Sequence, residues 1–448
     1  MRTELRLALL LTRGSDRREW WRVTLTAVGA GLATGFGLAA AAVASLDGQY
    51  SVSLGNGLLD QPGERSGIVL ALLLLLVPVL GFLGQCARIG AVHRDRRLAG
   101  LRLAGASAAQ VRRIAALEAG LAALVGSAVA TVFSALLLLS QWQRPPAVVW
   151  AGFALITVAV PVLGALVSTL ALRRVVASPL GWVRRVHPRT GPGPGGAFLV
   201  ASLFLLIVGI VMAPRTFGGF STAPLLAFAL VIVTGMGAVW LTGATARRIG
   251  RRLPDRTGNP AVLIAAERLR DDPWAAARTH AAVLLVTVVG TGFLGIRQVL
   301  LQELEGRGPD SLAASMSFYT TGINLTGAAV LIALVITLSG LAVGTAESLA
   351  TRRRGLAAQA AAGVPAAVLG RALLLETALP LAPAVALAGL GGLGIGAGYA
   401  SIATGVGSVP LLLPLLVPAA VYAACLLAAA TSLPLLRRSV HPAELRYT

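Results

Sequence analysis

The sequence predicts an all-α integral membrane protein with about ten transmembrane helices, both of its termini being cytoplasmic. The composition is 56% hydrophobic and only 12% charged, and the mean hydropathy is +0.80. A soluble protein of 448 residues cannot bury that much apolar surface. Long apolar windows and an uneven distribution of arginine support the same prediction. The helices fall into successive groups of four, two and four.

The ten apolar windows are each close to the length that a helix needs to cross a hydrocarbon core of ~30 Å, about 20 residues. Strand-like alternation is absent from them, and only helices then satisfy the backbone within lipid. The predicted spans are 21–46, 67–87, 114–140, 148–172, 197–213, 223–245, 279–300, 321–345, 371–398 and 411–436.

Basic residues set the predicted orientation of these spans. The net charge is +20 and all 38 basic residues are arginine. Such a balance can indicate a nucleic-acid partner. With the N-terminus inside, however, 33 arginines fall in cytoplasmic segments, which is the positive-inside pattern. The charge therefore predicts helix orientation and no nucleic acid. The five arginines on the outer side are Arg65, Arg144, Arg215, Arg297 and Arg307.

An internal repeat divides the chain. With an offset of 258 residues, segment 94–118 matches segment 352–376 at eleven of twenty-five positions, including a shared R-x-R, a glycine and R-x-x-x-L-E. Each copy lies between the second and third spans of a four-span block. Because both blocks begin inside, the repeat is parallel. The predicted domains are a first block at 1–172, linkers with a two-helix insert at 173–260, and a second block at 261–448.

The repeated segment has the pattern of a short amphipathic helix followed by a break. In the first copy Leu98, Leu101, Ala104 or Ala108, Val111 and Ile114 can form one apolar stripe. Gly105, and Gly363 followed by Pro365, predict a turn before the next span. A short element joined rigidly to two spans is suited to docking on a partner. The alternative is an orienting charge cluster followed by an interfacial helix.

Two carboxylates accompany the repeat, Glu118 and Glu376, each about one turn inside a span. An intramembrane carboxylate is costly and is usually paired or functional. We expect these side chains to tie the amphipathic element to its span. The alternative is that each reaches the interface or pairs locally with arginine.

Catalytic signatures are missing from the chain. A Walker A loop requires lysine, and the sequence has none. There is no G-x-S-x-G and no H-E-x-x-H motif. Four scattered histidines and two cysteines offer no metal-ligand spacing. We therefore expect no catalytic residue, metal or cofactor in this chain, and no enzyme activity.

The motif R-x-R-x-L, then L-x-x-A-G-A, Q-V-R-R and L-E-A, resembles the FtsX-like permease family of ABC transporters. The ten-span arrangement is similar to bacitracin-resistance permeases, but the connection at 301–320 is too short for their large extracellular domain. The resemblance implies a cytoplasmic ABC ATPase dimer as partner, which binds ATP and Mg²⁺. It also implies that the repeated segment is where this ATPase docks. The implied coupling residues are Arg96, Leu98, Leu101, Gly105, Val111, Arg113, Arg354, Leu356, Gly363, Pro365, Leu369 and Arg371.

The expected function is that of a permease subunit in a bacterial plasma membrane. It would couple ATP hydrolysis on a separate chain to export or extraction of a hydrophobic or amphipathic substrate, such as an antibiotic, peptide or lipid, or transmit force. One alternative is a gradient-driven secondary transporter, which requires paired ionisable groups near the midplane. Another is a non-transporting signalling or anchoring partner.

Overall fold

Every regular element in the part of the chain that the computed structural model describes is helical. These residues are 17–46, 57–60, 62–86, 100, 103–142, 145–171, 223–306, 312, 314–404 and 412–439. A 3₁₀ turn also occurs at Pro254–Arg256. The helices are α1 (Arg17–Ala44), α2 (Pro62–Cys86), α3 (Ala108–Gln141), α4 (Ala147–Ala171), α5 (Ala223–Arg252), α6 (Pro260–Asp271), α7 (Pro273–Gly306), α8 (Met316–Thr351), α9 (Arg353–Ala361), α10 (Ala366–Thr404), α11 (Leu412–Ala430) and α12 (Leu433–Ser439).

Eight helical stretches among the described residues are long and apolar enough to span a membrane. Of the ten predicted spans, 67–87 coincides with α2, whereas 197–213 lies outside the described residues. The eight stretches are Val23–Ala44, Ala109–Gln141, Ala147–Leu166, Ala229–Arg252, Pro273–Gly306, Met316–Thr351, Ala366–Ala400 and Leu413–Leu436.

Large apolar side chains are exposed along these helices. Phe133 is 69% exposed, Leu155 71% and Leu427 69%. In water such contiguous apolar surface would be unfavourable, whereas hydrocarbon solvates it well. The chain is therefore a multi-pass membrane protein.

The chain divides into two compact units, and the first comprises Met1–Val186. Within it α1 packs against α2, α3 and α4, and α3 packs against α4. Leu38, Val149 and Phe153 are fully buried where α1 meets α4. Apolar packing alone does not provide a strong driving force between helices in lipid, so polar contacts add to it.

Hydroxyl groups provide such polar contacts across the first unit. The Thr34 hydroxyl donates to Ser127 Oγ at 3.1 Å, which links α1 to α3. Ser127 in turn donates to the Thr157 carbonyl at 3.0 Å, and the hydroxyls of Thr131 and Thr157 are 2.8 Å apart. Three helices are thus joined by one short chain of hydrogen bonds.

The second unit comprises His187–Thr448. Its centre is the packing of α7 on α10, and α5 and α11 pack against both. Leu284, Leu341 and Leu381 are buried in this core. The helix α5, which lies in the predicted insert at 173–260, is therefore part of the packing of the second unit.

Small residues permit the closest helix contacts, and α10 carries two glycines four positions apart, Gly392 and Gly396. In the second unit, a Cβ added to Gly396 would lie 3.1 Å from Gly295 Cα. One added to Gly392 would lie 2.7 Å from the Val288 carbonyl oxygen. The backbones of α7 and α10 therefore approach so closely that no side chain fits between them at these positions.

Helix boundaries follow the repeat. α3 begins at Ala108 and α10 at Ala366, which are 258 positions apart. The pairs α1 and α7, α2 and α8, and α4 and α11 overlap under the same offset. The two blocks therefore share their helix order.

Candidate functional site

The second copy of the repeated segment is a short helix, a glycine turn and the start of a long helix. α9 ends at Ala361, and Gly363 has φ +91°. The Val364 N–H donates to the Gln359 carbonyl at 3.1 Å, and the Gly363 N–H donates to that of Ala360 at 2.9 Å. This pair of bonds is a Schellman motif, whose left-handed position favours glycine because it has no Cβ.

The first copy has the same turn at the equivalent residues. Gly105 has φ +95°. The Ala104 N–H donates to the Gly100 carbonyl at 2.9 Å, just as Ala362 donates to Ala358 at 3.0 Å in the other copy. These bonds are separated by the repeat offset, so the predicted break at both glycines is confirmed.

The two copies begin their long helices by different means. Ser107 caps α3: its hydroxyl accepts from the Gln110 N–H at 3.2 Å, and the Gln110 side chain accepts from the Ser107 N–H at 2.8 Å. At the equivalent position Pro365 precedes α10. Proline has no N–H to satisfy and a φ suited to helix initiation. Chemically different residues thus start the helix at the same register.

The apolar residues of the segment face the interior of their own unit. Val111 is 1% exposed, Leu356 1% and Leu369 0%. In the second unit Leu356 and Leu369 pack with Leu349, Leu373 and Leu436. Their contribution to any docking is therefore indirect, since they hold the turn firmly against the long helices.

The exposed part of the segment consists of the turn and the arginines that follow it. Leu103, two residues before Gly105, is 70% exposed. Beyond the turns Arg113 and Arg371, which are equivalent residues, are exposed, and so are Gly363 and Pro365. Each copy therefore presents a rigid turn followed by a basic side chain one to two helical turns further on. Arg354 is exposed as well.

Glu376 ties the second copy together. Arg352, which separates α8 from α9, donates through Nη1 to Glu376 Oε1 at 2.9 Å and to Oε2 at 3.2 Å. Arg268 of α6 lies 3.5 Å from Oε2. One carboxylate on α10 thus contacts both the junction of α8 with α9 and the short helix α6.

The cluster of Arg268, Arg352 and Glu376 is partly buried and carries more positive than negative charge. The Arg268 side chain is 13% exposed and that of Glu376 20%. Burial lowers the pKa of the Arg268 guanidinium; the neighbouring Glu376 opposes this change and Arg352 adds to it. Arginine nevertheless stays protonated at neutral pH, so the cluster has two cations around one anion. The shared carboxylate is needed to keep these arginines close together.

The structure describes only some of the remaining residues predicted in the first copy of the segment. Glu118, the equivalent of Glu376, is 4% exposed in the first unit. Arg96, Leu98 and Leu101 lie outside the described residues.

Two features of the site escaped the sequence prediction. Arg268 is 108 residues away from Glu376 in the chain, so no local pattern connects them. Leu103 is absent from the predicted stripe because its exposure depends on the turn. The signal available in the sequence for Leu103 was a lone leucine close to a glycine break.

Residues 68–180 match the family model described as FtsX-like permease C-terminal. This region includes the first copy of the turn together with α3 and α4. No curated protein matches the chain.

Proposed function

Because the chain belongs to the FtsX-like permease family through residues 68–180, we propose that it is the membrane subunit of an ABC transporter. In this proposal a separate cytoplasmic ATPase dimer binds ATP and Mg²⁺ and supplies the energy. The observation that carries the proposal is the duplicated turn. Gly105 and Gly363 have nearly equal positive φ angles at equivalent positions.

Two equivalent turns in one chain suit a dimeric partner. An ATPase dimer has two equivalent receiving surfaces, and each requires a rigid element that enters it. The exposed residues near Gly105 and Gly363 are the proposed contacts, with Leu103 as an apolar anchor in the first copy. Arg113 and Arg371 add complementary charge for acidic groups on the partner.

The mechanism that we propose uses the junction at Glu376 to transmit motion. A push on α9 reaches the end of α8 through the chain and reaches α10 through Arg352 and Glu376. The buried leucines beneath α9 pack it against the long helices, so that α9 does not move independently of them. Rigid, closely packed helices transmit such displacements as units. The motion would then pass along α8 and α10, and along α2 and α3 in the first block.

The transported molecule is proposed to be hydrophobic or amphipathic, and the process to be export, extraction or force transmission. Efflux of an antibiotic from a bacterial plasma membrane belongs to this proposal. The gradient-driven transporter and the non-transporting partner are the competing functions. Both competing functions predict that no stoichiometric ATPase co-purifies. The gradient-driven transporter also predicts that substrate movement depends on a proton or sodium gradient.

The test is affinity purification of the tagged chain from its native membrane, with quantification of any co-purifying ATPase. We expect a stoichiometric ATP-binding subunit with the wild type. We expect its loss with Leu103→Glu and with the double variant Arg113→Glu and Arg371→Glu.

The matched control is Arg251→Glu, which reverses the charge of another exposed arginine, at the end of α5. It should retain the ATPase. Unchanged thermal unfolding of all variants would show that they remain folded. If the wild type carries no ATPase under gentle extraction, the proposed function is wrong.

A further inference from the structure

An apolar groove of about 400 Å³ lies between α7, α8 and α11 in the second unit. Val286, Gly290 and Phe293 line it from α7, and Leu331 and Val417 line it from α8 and α11. This volume is within the range of small-molecule sites. The groove is open to the surroundings, and Leu331 is 62% exposed.

Two polar side chains, Arg297 and Asn324, belong to the lining. They lie at the same end of the groove. α7 ends at Gly306 and α8 begins at Met316, so these connected ends are neighbours. At Gly290 the three helices are close together, because an added Cβ would lie 3.3 Å from Val330 and 3.5 Å from Val417. Arg297 lies beyond Gly290, nearer the C-terminal end of α7.

The arginine distribution assigns that end of α7 to the outer side of the membrane. From Val286 to Arg297 the helix advances ~16 Å at ~1.5 Å per residue. One leaflet of a ~30 Å hydrocarbon core is about as thick. The groove therefore has the length of one leaflet, with its polar end at the level of the headgroups and its apolar end near the midplane.

Arg297 is available for a ligand. Its side chain is exposed, and no hydrogen bond or ion pair joins it to another described residue. A guanidinium at the headgroup level favours phosphate oxygens, to which it can donate two parallel hydrogen bonds. The adjacent Asn324 amide can donate as well. A zwitterionic headgroup would gain less from this charge.

We propose that this groove binds an anionic amphiphile of the outer leaflet. Its phosphate contacts Arg297 and Asn324, and one acyl chain lies along Phe293, Leu331 and Val417. The binding itself is independent of the ATPase. A role of the groove as the place where substrate is collected, however, rests on the transporter function proposed above.

The experiment is native mass spectrometry of the purified full chain, titrated with phosphatidylglycerol or phosphatidylcholine that carry identical acyl chains. We expect the wild type to retain phosphatidylglycerol about tenfold better, as a charge-assisted contact allows. Arg297→Gln should abolish this preference. Arg251→Gln removes the same charge at the end of α5 and should preserve it.

A second pair of variants tests the chain-binding part. Ala328→Trp fills the groove from α8 and should remove bound phosphatidylglycerol. Leu325→Trp places the same bulk on the exposed face of α8, where Leu325 is 52% exposed, and should leave binding unchanged. Thermal unfolding of each variant identifies any that fail to fold, and Arg297→Lys, which keeps the charge, should retain most of the preference.

Three outcomes would overturn the proposal. The first is equal retention of both lipids by the wild type. The second is a preference that survives both Arg297→Gln and Ala328→Trp, which indicates lipid bound elsewhere on the surface. The third is a dimer that excludes lipid, which indicates that a second copy fills the groove. Because no ATPase is present in this assay, each result is distinct from a failure of the proposed function.

Discussion

Arg352 donates two hydrogen bonds from one guanidinium nitrogen to the carboxylate of Glu376, at 2.9 and 3.2 Å. The two residues belong to the junction of α8 with α9 and to α10, respectively. The contact therefore connects the short exposed helix to two long helices at once. This geometry makes Glu376 the central residue of the second copy of the segment.

We predict that Glu376→Gln lowers the free energy of unfolding by about 1–3 kcal/mol, because it leaves two partly buried arginines without their anion. In a double-mutant cycle with Arg352→Gln, the losses should be less than additive. The measurement is reversible unfolding in detergent.

The control for this cycle is the ion pair of Arg278 and Asp272, which are 2.7 Å apart with both side chains 53% exposed. Its coupling should be only about 0.2–1 kcal/mol. Equal coupling in both cycles would contradict the special role of Glu376.

Gly363→Ala should destabilise the protein by about 1 kcal/mol, since a left-handed φ is costly for any residue with a Cβ. Gly355→Ala is the matched control. It lies inside α9 with nothing within 4 Å of an added Cβ, so helix propensity should make it neutral or stabilising. The same contrast is expected between Gly105→Ala and Gly100→Ala in the first copy. Thermal unfolding of the four variants tests this, and a stable Gly363→Ala protein would refute the assigned turn.

Gly126→Ala should destabilise the first unit by about 1–3 kcal/mol through overpacking. A Cβ at this position of α3 would overlap the carbonyl oxygen of Ala27 on α1. Gly35→Ala on α1 meets nothing within 4 Å and should be tolerated. Unfolding in detergent distinguishes the two. Similar stability of both variants would show that α1 and α3 are not in such close contact.

Arg65→Met should cost at least about 2 kcal/mol, because it would leave several carbonyl groups without a donor. Arg65 is 3% exposed and donates to the carbonyls of Leu59, Leu46 and Asp60 at 2.6, 2.7 and 2.9 Å. Arg65→Lys should recover part of the loss, since lysine keeps the charge but not the planar set of donors. The check is again the free energy of unfolding. A change below about 0.5 kcal/mol for Arg65→Met would mean that these contacts are replaced by water.

The sequence by itself determined the membrane class, the internal repeat and the two glycine turns. Each depends on a local signal: apolar length, charge asymmetry, or a glycine followed by a helix start. These signals do not require knowledge of any distant contact. Gly105 and Gly363 are separated by the repeat offset of 258 residues, as the sequence shows. In the structure both glycines form turns with φ near +90°.

Only the tertiary structure decided which side chains of the repeated segment are buried and what surrounds its carboxylate. Leu356 and Leu369 have the pattern of a docking stripe, but they pack inward because α8, α10 and α12 converge beneath α9. The nearness of Arg268 to Glu376 likewise results from helix packing over 108 residues of chain. The groove beside Arg297 is formed by three helices, none of which defines it alone. Hydrophobic periodicity specifies that one face of a helix is buried. The packing of helices distant in the chain specifies which residues that face packs against.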